Sequence, residues 1–116
     1  MYITDIVMKV IILPRVLDYL DELVYVLYEK QYFGYLDLSM NYVDELLCDI
    51  EKDLPTKRHK PAPKRFDKYG KGMQYASFTK NKRTTWYAFF KTYRENGEAV
   101  YVVRYIANNH VIAQYL

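Results

Sequence analysis

Residues 84–107 read Thr84-Thr85-Trp86-Tyr87-Ala88-Phe89-Phe90-Lys91-Thr92-Tyr93-Arg94-Glu95-Asn96-Gly97-Glu98-Ala99-Val100-Tyr101-Val102-Val103-Arg104-Tyr105-Ile106-Ala107. Two runs rich in aromatic and β-branched residues, the types that fit a pleated surface, flank a single Asn-Gly pair. A type I′ turn needs positive φ at both central positions, and Asn-Gly tolerates this at low steric cost. The stretch therefore predicts an antiparallel hairpin with strands over 84–93 and 98–107. The turn sets the register: with Glu95 opposite Glu98, Lys91 faces Val102, Phe89 faces Arg104 and Tyr87 faces Ile106. Arg104 then shares a side with Tyr87, Phe89, Lys91 and Tyr93, while Trp86, Phe90, Tyr101, Val103 and Tyr105 share the other. A two-residue turn at Asn108-Asn109 would add a short strand over 110–116, putting His110 with Trp86 and Tyr115 with Arg104. Another run over 73–79 precedes the hairpin, so antiparallel strands are expected over 73–116. Helices must cover one face, and the pattern leaves open which.

Upstream, residues 2–13 alternate and then become continuously apolar with β-branched residues, a strand that Pro14 ends. From Pro14, which suits a first helical position, Val16, Leu17, Leu20, Leu23, Val24 and Leu27 form one helical stripe. Asp18, Asp21 and Glu22 fall off that stripe as a solvated face, as do Asp44 and Glu45 later, and Gly34 suits a left-handed stop. Helices are expected over 14–33 and 39–54, the second with Ser39 as N-cap, Val43, Leu46, Leu47, Ile50 and Leu54 as its apolar side, and Pro55 as its stop. Residues 55–72 hold three prolines, two glycines, seven basic residues and His59 without an apolar period, and read as a basic connector in loop conformation. The expected architecture is α+β in a single domain over 1–116: a leading strand, a helical hairpin, then an antiparallel meander of three to four strands.

Length and composition agree with one domain, because 116 residues with 51% apolar side chains can build a core without staples. The lone Cys48 forms no internal disulfide, which fits a reducing compartment, and reads as a small buried hydrophobe on a helix. The longest apolar run, Val10-Ile11-Ile12-Leu13, is far short of the ~20 residues of a membrane span. No basic start or small-residue cleavage site marks a signal peptide, so a cytoplasmic location without a membrane partner is expected. One cysteine and two histidines, His59 and His110, lack zinc-site spacing, and Gly70-Lys71-Gly72 is too short to cradle a phosphate. No metal or other cofactor is implied.

The net charge of +3 hides a strong asymmetry. Residues 1–51 carry three basic and ten acidic groups, residues 52–83 eleven and two, and residues 84–116 three and two. The basic belt comprises Lys57, Arg58, Lys60, Lys64, Arg65, Lys68, Lys71, Lys80, Lys82 and Arg83. Such a cluster can neutralise several phosphates, with Phe66, Tyr69 and Tyr75 placed to stack on unpaired bases. It equally suits a solubilising loop or a loop that pairs with an acidic segment. Arg104, inside an apolar and aromatic strand, either snorkels, stacks on its neighbours, or faces a phosphate whose developing charge it would stabilise. His110 is a side chain that can donate or accept a proton, and Tyr115 and Tyr87 are suited to position a phosphate or stack on a base.

The order of elements resembles the RelE/ParE superfamily of bacterial toxin-antitoxin toxins. The resemblance rests on Val10-Ile11-Ile12-Leu13-Pro14-Arg15-Val16-Leu17-Asp18-Tyr19-Leu20, on a strand Thr84-Thr85-Trp86-Tyr87-Ala88-Phe89-Phe90, and on its partner Val100-Tyr101-Val102-Val103-Arg104-Tyr105-Ile106. It implies a RelE-like fold and an endoribonuclease, ribosome-dependent or free, that cleaves mRNA and is neutralised by an antitoxin protein. By position it implies catalytic roles for Arg104, Arg83, His110 and Tyr115, with Lys82 beside Arg83 holding the scissile phosphate. The chain departs from the family in a longer helical hairpin and in its ending, Gln114-Tyr115-Leu116. A non-catalytic nucleic-acid-binding module and a protein-interaction domain using the aromatic sheet stand beside this reading.

Overall fold

A computed structural model describes residues 8–30 and 33–116. Residues 2–7 of the expected leading strand and residues 31 and 32 of the expected first helix lie outside the described residues. The chain folds as β1 (Met8–Ile12), α1 (Pro14–Glu29), α2 (Leu36–Asp53), β2 (Lys60–Pro61), β3 (Gln74–Asn81), β4 (Thr84–Glu95), β5 (Glu98–Asn108) and α3 (Asn109–Ile112), with 3₁₀ turns at Leu54–Thr56, Lys64–Tyr69 and Ala113–Tyr115. It is a mixed α+β fold whose single sheet has the order β1-β5-β4-β3-β2. No helix among the described residues is long and apolar enough to cross a membrane.

The β4–β5 hairpin turns at Asn96 (φ 52°) and Gly97 (φ 80°), the positive-φ pair that a type I′ turn demands, with Glu95 opposite Glu98. β1 runs parallel to β5, Met8 opposite Ala99 and Ile12 opposite Val103. A parallel neighbour needs a crossover, and the helical hairpin together with β3 and β4 supplies it. The helices cover the Trp86 side of the sheet. Val16, Leu20 and Leu23 of α1 and Val43, Leu46 and Ile50 of α2 meet Phe78, Trp86, Ala88, Phe90, Val103 and Ile106 in one core. Trp86 is 1% exposed and donates its indole N–H to the Tyr42 hydroxyl at 2.9 Å, so its polar edge is satisfied.

Several expectations are corrected. Ser39 is not an N-cap: α2 starts three residues earlier at Leu36, and Ser39 is buried inside it. Gly34 is not a left-handed stop, since the positive-φ glycines are Gly72 and Gly97, and α1 ends at Glu29. Cys48 lies on a helix as expected but is exposed. The final segment is no strand. Asn108 Oδ1 accepts the backbone N–H of His110 at 2.9 Å and so caps α3. Asn109 accepts from Thr85 N–H at 2.9 Å and donates to Arg83 O at 3.0 Å, so its amide satisfies β4 where a further strand would have paired.

The connector is not a plain loop either. Its Lys64–Tyr69 segment is a 3₁₀ helix, and with three residues per turn Phe66 and Tyr69 fall on one face. Phe66 is buried and stacks on Phe89 with ring centroids 4.6 Å apart; with Met73, Tyr75, Ala107 and Ile112 it forms a second core on the sheet's other side. Lys64, Arg65 and Lys68 are exposed. Both faces of the sheet are thus covered, and Trp86, Phe89 and Phe90 are core residues, at most 1% exposed, rather than an interaction surface.

Candidate functional site

The site grows from an irregularity in β5. Val103 pairs with Phe90 and Tyr105 with Phe89, so Arg104 is the extra residue of a β-bulge and has no partner in the ladder. This corrects the expected pairing of Arg104 with Phe89 and of Tyr87 with Ile106: Tyr87 faces Ala107 and Ala88 faces Ile106. A one-residue slip exchanges the faces. Beyond the bulge Ile106 therefore joins the helix-covered core, and Tyr105 joins Phe89, Phe66 and Tyr69 on the opposite side. Tyr105 stacks on Tyr69 at 3.9 Å with planes 6° apart.

Arg104 is half-buried, and its Nε donates to the Tyr69 carbonyl at 2.7 Å. A second guanidinium reaches the same oxygen: Arg15 Nη2 donates to Tyr69 O at 3.2 Å, and Arg15 Nε to Arg104 O at 3.2 Å. Arg15 arrives there because β1 ends beside Val103 and α1 begins at once with Pro14. Gly70 makes the arrangement possible, since a Cβ there would lie 2.7 Å from Arg104 Nε and 2.8 Å from its Cδ. Together with Val16, Tyr19, Tyr69, Tyr105 and Val111, the two arginines line a cavity of about 280 Å³.

The ion pairs among the described residues are those of Lys80 with Glu45 and Asp49, each at 3.5 Å, so neither cavity arginine has a described carboxylate within 4.0 Å. Burial, followed by the neighbouring phenols of Tyr69 and Tyr19, pushes the Tyr105 hydroxyl up to about 12, and burial raises that of Tyr19. Both phenols stay neutral near pH 7 and can donate hydrogen bonds. Two cationic forks, neutral phenol donors and an apolar wall are the components of an anion site that also accepts a flat ring.

The other expected catalytic residues stand around α3 without forming one cluster with Arg104. His110 is exposed, its Nε2 3.4 Å from Thr84 Oγ1, in a groove that also includes Tyr19, Lys30, Asn81 and Val111. Arg83 is exposed in the β3–β4 turn beside Lys82, and Asn81 Oδ1 accepts its backbone N–H at 2.9 Å. Tyr115 lies under Arg65, whose guanidinium carbon is 3.4 Å from the ring centre. Val111 borders the Arg104 cavity, the His110 groove and the Tyr115 recess, so all three open around one exposed side chain.

The belt divides into parts. Lys57, Arg58 and Lys60 border a recess with Tyr75 and Ser77, and Lys57 also lies over the Phe78 ring at 4.8 Å. Lys64, Arg65, Lys68 and Lys71 are exposed on and after the 3₁₀ helix, and Lys82 and Arg83 extend from the next turn. Lys80 is largely buried between Glu45 and Asp49 and is thereby neutralised. Phe66 and Tyr75 are core residues and Tyr69 is stacked on Tyr105, so these rings are not free for base stacking as expected. Sequence reasoning passed over Arg15, Tyr19 and Gly70 as site residues. Arg15 and Tyr19 are spaced i, i+4 on α1 away from its buried stripe, which was a readable signal; Gly70 gave none. Comparison with family models, curated proteins and solved structures finds no match to this chain.

Proposed function

We propose that the chain is a RelE/ParE-type toxin, an endoribonuclease that cleaves mRNA and is neutralised by an antitoxin protein. The observation that carries this reading is Arg104, set on a bulge and lining with Arg15 a tyrosine-containing cavity, with no carboxylate among the described residues within 4.0 Å of either guanidinium. Bulges commonly re-aim a side chain next to an active site. A leading strand, two helices and then aromatic antiparallel strands in that order give further support.

In the proposed reaction the ribose 2′-oxygen attacks the adjacent phosphorus while the 5′-oxygen of the next nucleotide leaves, yielding a 2′,3′-cyclic phosphate and a 5′-hydroxyl. Arg104 stabilises the extra negative charge of the phosphorane, and Lys82 and Arg83 hold the neighbouring backbone. His110, exposed in the adjoining groove, accepts the 2′-hydroxyl proton from RNA that spans both recesses, and a water protonates the leaving oxygen. Tyr115, held under Arg65, is a platform for a base rather than a proton acceptor.

Arg104→Gln keeps the stem and removes the charge. The expected outcome is a loss of about 10²–10³ in cleavage rate, the usual effect of deleting one transition-state donor, together with relief of growth arrest and an unchanged circular dichroism spectrum. Intact cellular mRNA and normal growth on expression of the folded wild-type chain would overturn the reading and leave a non-catalytic RNA-binding module.

A further inference from the structure

The Arg15–Arg104 cavity is a built pocket, and its chemistry identifies an occupant. Two guanidiniums converge on one carbonyl oxygen, that of Tyr69, at 3.2 and 2.7 Å. One carbonyl cannot balance two cations, and no described carboxylate lies within 4.0 Å of either. Like charges are brought together at a cost unless an anion joins them. The rest of the lining is apolar and aromatic, with Val111 well exposed and Tyr19 partly exposed. The cavity's 280 Å³ is just below the ~300–1,000 Å³ of drug-sized sites. That is room for one small ligand with an anionic end and a flat end.

We infer that this cavity binds a single ribonucleotide, its phosphate bridging Arg15 and Arg104 and its base lying against Tyr19 and Val111. Arg15 is then a binding residue in its own right, and Gly70 a positioning residue that leaves Arg104 room to reach the phosphate. The inference rests on the proposed phosphate-facing role of Arg104, and assigns to that site the nucleotide that flanks the bond to be cut.

The test titrates the purified full chain with each of the four ribonucleoside 5′-monophosphates, with the matching nucleosides and with inorganic phosphate, followed by calorimetry. A mononucleotide is the right probe because it carries one phosphate and draws little on the basic belt. At least one of the four is expected to bind about tenfold tighter than inorganic phosphate or its own nucleoside, the gain of one base–aromatic contact. Val111→Glu changes an exposed rim residue that the fold should tolerate, and should weaken binding about tenfold by putting a hydrated carboxylate where the base packs and adding negative charge to an anion site. Arg15→Lys keeps the charge but loses the fork, and Gly70→Ala displaces Arg104; each should weaken binding several-fold. Equal affinity for all four nucleotides and inorganic phosphate, or binding untouched by Val111→Glu and Arg15→Lys, would overturn the inference. RNA cleavage that depends on Arg104 while no mononucleotide binds would remove this pocket and keep the toxin reading. Nucleotide binding that follows these variants without any RNA cleavage would do the reverse.

Discussion

Arg104 shows how much one residue can reorganise. Without the bulge, a regular ladder would set Arg104 opposite Phe89 in the second core and turn Tyr105 toward the helices. One extra residue lets Tyr105 stack on Tyr69 and lets the guanidinium leave the core, so two unfavourable burials are avoided together. That Arg104 is exceptional in its strand was legible because a charge stands out among apolar and aromatic residues. Its bulge was not, because it depends on Phe66 and Tyr69 arriving from 35 or more residues away. Ser39 is a simpler case. Its hydroxyl is fully buried in α2 and has no hydrogen-bond partner among the described residues. An unpaired buried hydroxyl costs about 1–3 kcal/mol, and alanine is also the better helix former. Ser39→Ala should therefore stabilise the fold by about 1 kcal/mol, raising the melting temperature by about 4 °C; a fall in melting temperature would show that the hydroxyl is satisfied in solution.

At the level of elements, the connector gave the largest surprise. It has no 3.6-residue period, the pattern expected of a loop, yet Phe66 and Tyr69 repeat at three residues, the period of the short helix they form. Apolar anchors on one side leave Lys64, Arg65 and Lys68 exposed, and the 3₁₀ turn presents them together. Replacing Lys64, Arg65, Lys68 and Lys71 by glutamine should weaken RNA binding and reduce the slope of log affinity against log salt by up to about 3, since each phosphate contact on single strands contributes roughly 0.7. Filter binding at several salt concentrations measures both quantities, and an unchanged slope would remove this element from the contact surface. The quadruple variant should leave mononucleotide binding in the Arg15–Arg104 cavity nearly unchanged, as those four side chains do not line it.

Across the whole molecule, charge is sorted by fold. The carboxylates of α1 and α2, Asp18, Asp21, Glu22, Asp44 and Glu45 among them, are exposed on the helical side of the sheet. The 3₁₀ helix with its cations covers the opposite side, with Phe66 on Phe89. Lys80 ties β3 to α2 across this division. A protein segment that blocks the proposed RNA site should therefore be acidic and should compete with phosphate around Val111, where the Arg104 cavity and the His110 groove adjoin. Co-expression with the protein encoded by the adjacent reading frame should restore growth and yield a complex that co-purifies at low salt. Protection of Arg104 and Val111 from RNA in that complex is the expected result; a partner bound solely to the acidic outer face of α1 and α2 would contradict it.

The Asn-Gly turn, the two helical stripes and the choice of helix-breaking prolines act through neighbours a few residues apart, and so the hairpin, the helical pair and the α+β class could be read directly from residue order. Local steric preference and side-chain period need no knowledge of the rest of the chain. The parallel placement of β1 beside β5, the face on which the helices pack, and the meeting of Arg15 with Arg104 across 89 positions had no such local signal. They follow from burying two apolar faces of one sheet at once, a condition that only the closed packing of helices, sheet and 3₁₀ turn can satisfy.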